Sequence, residues 1–267
     1  MIEIVRPGIA TTFQDDGRPG FADLGVGAAG AVDRPLAALV NRLVGNHRDA
    51  AVIETIGNLV IAATAPIRVA SSHGLAPFDL APGDEFGVPP GGHGRLWHYV
   101  AVRGGFDVVP VLGSRSFDTM SGLGPPLPVA GDLVGVGDAL DELAVVDHAP
   151  LPELASTIRV TPGPRADWFT AGSWRDLLAE PWTITTASRV GVRLRGGTIE
   201  RATVAELPSE GLVRGAIQVP PDGELVMMLA DHPTTGGYPV IAVVHPDDVA
   251  LAAQHSAGAS VRFRNYG

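Results

Sequence analysis

Ser209-Glu-Gly-Leu-Val-Arg-Gly-Ala-Ile-Gln218-Val-Pro-Pro-Asp-Gly223 leads into the apolar run Leu225-Val-Met-Met-Leu229 and closes on Asp231-His-Pro-Thr-Thr-Gly-Gly-Tyr-Pro239. Proline presets φ and glycine accepts the positive φ that tight turns need. Pro220-Pro221-Asp222-Gly223 therefore predicts a hairpin turn joining a strand at 216–219 to one at 225–229. The third segment alternates turn residues with threonines, an aspartate and a tyrosine, as a binding loop on a β scaffold does. Its paired glycines, Gly236 and Gly237, would let backbone approach a ligand closely.

Outward from this stretch the same texture continues. Short apolar runs bounded by 34 glycines and 23 prolines fill 267 residues, which predicts a mainly β protein with a few short helices. One helix is expected over 34–44, with Asp33 as N-cap, Pro35 in the first turn, Leu36, Leu39, Val40 and Leu43 on one face, and Gly45 ending it. A second is expected over 246–254, where Asp247 and Asp248 favour the positive end of the helix dipole. A weaker candidate covers Ser173–Ala179. A turn-then-strand pattern recurs at Ala81-Pro-Gly-Asp-Glu-Phe86, Ala130-Gly-Asp-Leu-Val134 and Ala257-Gly-Ala-Ser-Val261, and suggests three similar barrel-closing strands. Residues 138–156 are acidic, then rich in alanine and proline, which suits a linker. The expected division is 1–150 and 151–267.

Composition narrows the chemistry. A net charge of −10 without a basic cluster removes the electrostatic term on which nucleic-acid binding depends. No run approaches the length of a membrane span, and Met-Ile-Glu-Ile-Val lacks the features of a signal peptide, so a cytoplasmic location is expected. There is no cysteine, and all 19 basic residues are arginines. The absence of lysine excludes a Schiff base, a Walker-A phosphate loop, an amidase-type Ser-Ser-Lys triad and a biotin attachment point in this chain. No Gly-x-Ser-x-Gly elbow is present, and the eight histidines show no metal-ligand spacing, so no metal is expected. His93 and His98 lie on a loop-to-strand stretch with Trp97 and Tyr99.

Several residues are candidates for a site. Arg18 and Arg115, in glycine- and serine-rich segments, can either grip an anion or brace their loops against Asp15, Asp16 or Asp118. Gln14 and Gln218 offer both donors and an acceptor, suited to a lactam or urea amide; Gln218 can equally point into solvent. Asp231 is a candidate base and Tyr238 a donor to an oxyanion, with Thr234, Thr235, Gly236 and Gly237 between them; capping the turn is an equally common use for Asp231. Asp33 reads as a helix cap.

The N-terminus carries a second site-like segment, Gln14-Asp-Asp-Gly-Arg18-Pro-Gly, then Gly30-Ala-Val-Asp33 and Asn41-Arg-Leu-Val-Gly-Asn46. Together with Thr12-Phe-Gln-Asp15, Val111-Leu-Gly-Ser-Arg-Ser116, Arg189-Val-Gly-Val-Arg-Leu194, Ser209-Glu-Gly211, Gly215-Ala-Ile-Gln-Val-Pro220 and Thr234-Thr-Gly-Gly-Tyr-Pro239, these resemble a known family nearly end to end. It is the family of the C-type component of bacterial ATP-dependent 5-oxoprolinase, also called allophanate hydrolase subunit 2 or KipA-like, related to the carboxyltransferase part of urea carboxylase. This chain departs from the family pattern at Val32 (usually methionine), Ser188 (usually aspartate) and His232-Pro233 (usually Arg-Gln), and its 70–84 stretch is shortened.

The resemblance implies cyclophilin-like β-barrel architecture, and a 5-oxoprolinase subunit that pairs with a B-type (KipI-like) subunit and cooperates with an A-type subunit to open 5-oxoproline to glutamate. ATP is then the expected cofactor, bound with a partner subunit. Arg18 and Arg115 would hold anionic groups, Gln14 and Gln218 would orient the amide, and the 234–238 loop would stabilise oxyanion charge. Two alternatives follow from the same resemblance. One is carboxyl transfer to urea, with biotin on another chain. The other is a non-catalytic regulatory module that binds a KipI-like kinase inhibitor. All three imply a hetero-oligomer.

Overall fold

A computed structural model describes residues 1–139, 149–151, 153–203 and 205–267. The chain divides into two compact units, Met1–Pro19 with Ala29–Glu153, and Gly20–Ala28 with Leu154–Gly267. The main division runs between Glu153 and Leu154, and Gly20–Ala28 groups with the C-terminal unit, which no composition shift announces. Residues 140–148 and 152 of the expected linker lie outside the described residues. Among the described residues no helix is long and apolar enough to cross a membrane.

Among the described residues the N-terminal unit contains ten strands: β1 (Ile2–Arg6), β2 (Thr12–Gln14), β3 (Val52–Thr55), β4 (Leu59–Ala63), β5 (Ile67–Ser71), β6 (Phe78–Leu80), β7 (Glu85–Val88), β8 (His98–Val102), β9 (Phe106–Asp107) and β10 (Leu133–Val136). They form two five-stranded sheets, ordered β7-β4-β1-β10-β9 and β2-β3-β8-β5-β6. Alternation turns Ile2 and Ile4 of β1 and Leu59 and Ile61 of β4 inward, against Ile53, Val69, Val100 and Val102 of the second sheet. Each such side chain contributes about 1.5–3 kcal/mol on burial. The other face of the second sheet carries helix α1 (Arg34–Leu43), which buries Leu36, Ala37, Val40 and Leu43. Its N-terminus is the one read from sequence: Asp33 accepts from Leu36 N at 3.0 Å and Pro35 occupies the first turn. Gly45, at φ 72°, lies just past its end.

The C-terminal unit is built on a closed barrel. Its strands are β11 (Thr157–Pro162), β12 (Trp182–Ala187), β13 (Gly191–Arg195), β15 (Ala216–Gln218), β16 (Leu225–Met228), β18 (Val240–Val244) and β19 (Ser260–Asn265), in the order β11-β18-β15-β16-β13-β12-β19. Parallel pairing of β11 with β19 closes the ring. Val192 and Leu194 point inward while Arg193 and Arg195 face out, the period-2 signature of a half-buried strand. A short ribbon, β14 (Glu210–Gly211) with β17 (Thr235–Gly236), lies outside the ring. Helices α2 (Ser173–Ala179) and α3 (Pro246–Ala253) complete the unit. The mainly β class and the barrel agree with what the resemblance implies.

The hairpin at 220–223 forms as read, with Gly223 at φ 78° and its N–H donating to Pro220 O at 3.1 Å. The three repeated turns also form: Gly83, Gly131 and Gly258 sit at φ 90°, 89° and 89°. Asp84 and Asp132 each accept from the N–H three residues back, at 2.8 and 2.9 Å. Their strands are not all barrel strands, however. Only β19 closes the barrel, whereas β7 and β10 belong to the N-terminal sandwich. The repeat encodes a turn, which any antiparallel sheet can use.

Candidate functional site

In the N-terminal unit, Asp15 organises the first candidate cluster. One of its oxygens accepts from Gly17 N at 2.8 Å and from the hydroxyls of Ser114 and Ser116 at 2.6 Å each; the other accepts from Arg115 N at 2.5 Å. These bonds pin the 114–116 segment against the end of β2. The Arg115 side chain braces the same loop, its Nε donating to Val108 O at 2.9 Å. Arg18 is only 2% exposed and donates to two carbonyls, Val111 O at 3.3 Å and Ser116 O. Among the described residues it meets no carboxylate, and its Nη1 has no partner. Gln14 is fully buried; its Nε2 donates to Thr12 Oγ1 and to Phe117 O, both at 2.8 Å, while its Oε1 accepts nothing. A buried guanidinium without a counter-charge, and a buried carbonyl without a donor, are costly unless a ligand completes them.

A second cluster, absent from the sequence-derived candidates, lies on β3 and β8. Glu54, paired in register with Tyr99, is fully buried; its Oε2 accepts from Tyr99 Oη and from Val32 N, both at 2.7 Å. Tyr99 Oη in turn accepts from Asp33 N at 2.7 Å. Burial first, then the neighbouring Glu54 and Asp33, hold the Tyr99 phenol well above its usual pKa, so it remains a donor. Ala31 N donates to Asp15 O at 2.9 Å. The 30–33 segment thus ties the two clusters together through its backbone. Arg95 lies 3.8 Å from Asp33, with both side chains buried. Burial lowers its pKa and Asp33 partly offsets that. The signal available in the sequence was a glutamate inside the apolar run Val52-Ile-Glu-Thr55, which no surface strand would require.

In the C-terminal unit Asp231 is held bidentately by Arg189, at 2.8 and 2.7 Å, with side-chain exposures of 0% and 2%. Its two oxygens are engaged by this pair, so the candidate base is bound to a guanidinium. Gln218 does not point into solvent. It is buried beneath the β14–β17 ribbon and donates from Nε2 to Tyr238 O at 2.8 Å. A Cβ on Gly236 would stand 2.8 Å from that Nε2 and 2.7 Å from Leu212 Cδ1, and one on Gly237 would stand 3.4 Å from Leu207 O. The paired glycines therefore allow the loop to approach its own protein. Thr234 gives its carbonyl to Leu212 N at 2.9 Å, Thr235 is exposed in β17, and Tyr238 is 46% exposed. Arg165 grips Glu210 bidentately and anchors the ribbon, holding the Glu210 carboxyl below its usual pKa.

Strand register separates these groups. Gln218 pairs with Val226 and Val240, whereas Met228, two rows on, pairs with Gly191, and the chain continues to Asp231 N, which donates to Arg189 O. Two rows are about 7 Å, so Asp231 lies at the opposite end of the barrel wall from Gln218 and the Tyr238 carbonyl.

Among the described residues the N-termini of α1, α2 and α3 do not fit the phosphates of ATP. Asp33 caps α1, Asp247 and Asp248 stand in the first turn of α3, and Asp176 in that of α2; acidic groups there oppose a polyanion. Among the described residues no group of three or more His, Asp or Glu side chains is placed to hold a metal ion.

Comparison with known proteins adds an independent line. The family described as "Carboxyltransferase domain, subdomain A and B" matches residues 24–265. The C-type component of 5-oxoprolinase from Escherichia coli K12 is 33% identical, the match covering 98% of this chain and 90% of that protein. Among solved structures, TTHA0988 superposes with a TM-score of 0.89 at 32% identity, over 98% of this chain and 55% of that one. The urea amidolyase of K. lactis superposes with a TM-score of 0.91 at 25% identity, over 100% of this chain and 19% of that one. This chain thus spans little more than half of the first solved chain and under a fifth of the second.

Proposed function

The chain belongs to the carboxyltransferase-domain family, and on that premise we propose that it serves as a subunit of an ATP-dependent 5-oxoprolinase that opens 5-oxoproline to glutamate with B-type (KipI-like) and A-type partners. The observation that carries this reading is Arg18, a buried cation whose Nη1 has no partner. 5-Oxoproline brings a carboxylate to complete it, and a lactam N–H for the unmatched Oε1 of Gln14. Urea has no carboxylate. The near full-length match to the C-type component of a 5-oxoprolinase supports the same choice.

In this reading Arg18 and Gln14 bind and orient the substrate, and Asp15 positions both by fixing the 114–116 segment. Arg115, with its Nε on Val108 O, supports the loop and presents the rest of its guanidinium to anionic groups. ATP supplies activation of the amide oxygen by phosphorylation, and we assign its binding to a partner subunit. Exposed Val109, Leu112, Met120, Leu127 and Val129 on one stretch of the N-terminal unit suit a partner's apolar surface.

The test is ATP hydrolysis and glutamate release by this chain co-purified with its B-type partner and supplied with the A-type subunit and 5-oxoproline. Turnover that disappears when this chain is omitted is the expected result. A stable complex without turnover would overturn the reading. Carboxyl transfer, favoured by the fit to urea amidolyase, is the second reading; capture of a biotinylated partner protein together with urea-dependent turnover would support it.

A further inference from the structure

His98 opens β8 opposite Thr55 and is 1% exposed. One ring nitrogen is held by the Arg95 carbonyl, and the nitrogen left without a partner is Nε2. A carbonyl accepts only from N–H, so Nδ1 carries the proton and Nε2 carries a buried lone pair. Burial, then the neighbouring His73, His93 and Arg95, pull the His98 pKa down to about 4, so the lone pair is free at neutral pH.

A second buried ring nitrogen, His73 Nδ1, is also without a partner, and the two imidazole centroids are 6.1 Å apart. Gly92, in the segment Gly91-Gly-His-Gly94, lies against both rings. A Cβ on Gly92 would stand 2.2 Å from His73 Nδ1 and 3.2 Å from His98 Cε1. This cover is fastened by His93 Nε2 on His73 O at 2.6 Å. His93 adopts a left-handed conformation, φ 55°, which costs about 1–2 kcal/mol in a non-glycine residue.

A core histidine that serves packing alone satisfies both nitrogens. Here the unpartnered Nδ1 of His73 and the Cε1 edge of His98, adjacent in the ring to its own unpartnered Nε2, lie against the same glycine of an otherwise exposed loop. We infer that His98 and His73 form a second ligand site, beneath the 91–94 cover, for a small molecule bearing an amide-type N–H, with His98 Nε2 as the acceptor. Displacement of the cover admits the ligand. The site is separate from the Arg18–Gln14 cluster: Thr55 and His98 share one end of the sheet, while Gln14 pairs with Val52, three rows and about 10 Å away. The inference does not depend on the proposed function.

The test is ¹⁵N-histidine NMR of the full chain, with 2-pyrrolidinone as the N–H probe and N-methyl-2-pyrrolidinone as the control. His98 is assigned through backbone correlations and checked by the loss of one signal in His98→Gln. The free chain should show an unprotonated Nε2 at pH 7, which shifts toward the hydrogen-bonded range on saturation with 2-pyrrolidinone and does not move with the N-methyl control. A Gly92→Ala substitution, which forces the cover away from His73, should change the probe's association rate. An Nε2 that is insensitive to 2-pyrrolidinone, and already hydrogen-bonded to an ordered water only, would overturn the inference. So would equal shifts from both probes. Neither result bears on 5-oxoproline turnover by the assembled complex.

Discussion

The two units treat buried polarity in opposite ways. In the C-terminal unit buried polar side chains are matched: Asp231 with Arg189, Asp248 with Arg159, Gln218 with the Tyr238 carbonyl, and Trp182 Nε1 with Leu177 O. Among the described residues only Arg201 there leaves a buried side-chain atom without a partner, whereas the N-terminal unit leaves such atoms on Gln14, Arg18, Arg34, Arg68, His73 and His98. A matched group stabilises a fold; an unmatched one costs free energy that packing must offset. On the proposed reading, the difference makes the barrel the scaffold and the sandwich the recognising unit. Substitutions in the barrel should therefore be felt first as lost stability, and those in the sandwich as lost binding.

The largest effect is expected at Asp231. Asp231→Ala leaves the Arg189 guanidinium buried and unpaired, at a cost of about 3–5 kcal/mol, seen as a lower denaturation midpoint. A variant with wild-type stability but no turnover would instead make Asp231 a catalytic group and break the comparison. The sandwich has a pH signature. Folded His98 stays neutral to about pH 4, while an unfolded histidine protonates at about pH 6.5. Between these values the unfolded state binds the extra proton. Stability is therefore complete above about pH 6.5 and falls as pH drops toward 4, by at most about 1.4 kcal/mol per pH unit from this group. Denaturant titrations of wild type and His98→Gln across that window should differ in slope, and identical slopes would remove His98 from the unmatched set.

A smaller effect is expected at Gly236. In Gly236→Ala the new methyl meets the ends of Leu212 and Gln218, both side chains that can shift, so the loss should be about 1 kcal/mol. A thermal melt of Gly236→Ala that matches wild type would show that the ribbon is not packed down on the barrel. The smallest effect is at Tyr238. Its ring is half exposed, and Tyr238→Phe should change stability by less than about 0.5 kcal/mol. Steady-state kinetics of the same variant should match wild type; a fall in kcat with KM unchanged, the mark of an oxyanion donor, would break the comparison.

Local chemistry was legible where the sequence is self-contained. Asp33-Arg-Pro35 announces the start of α1, Pro220 to Gly223 a hairpin, and each Gly-Asp a turn, because all their partners lie within four residues. The site was legible only in part. Gln14 and Arg18 stand out as candidates in the sequence, but that their atoms stay unmatched depends on Val111, Ser116 and Phe117, 93 to 103 residues away. Glu54 was missed because its partners, Val32 and Tyr99, lie 22 and 45 residues off along the chain. Gly236 signalled a close approach, expected toward a ligand, and in the structure it approaches Leu212 and Gln218 of its own chain. What it approaches, Gln218, becomes visible only when the ribbon is laid on the barrel.

The most direct test of recognition by the sandwich is 5-oxoproline-dependent ATP hydrolysis by the reconstituted complex carrying Arg18→Met, alongside the denaturation midpoint of the variant chain. Loss of one charge-assisted contact of about 1.5–3 kcal/mol predicts a roughly tenfold to hundredfold rise in KM for 5-oxoproline, with the midpoint little changed, because removing a buried charge that meets no carboxylate offsets the loss of its bonds to Val111 O and Ser116 O. A wild-type KM, or a variant chain that unfolds, would show that Arg18 only braces its loop and would contradict the assignment of recognition to the N-terminal unit.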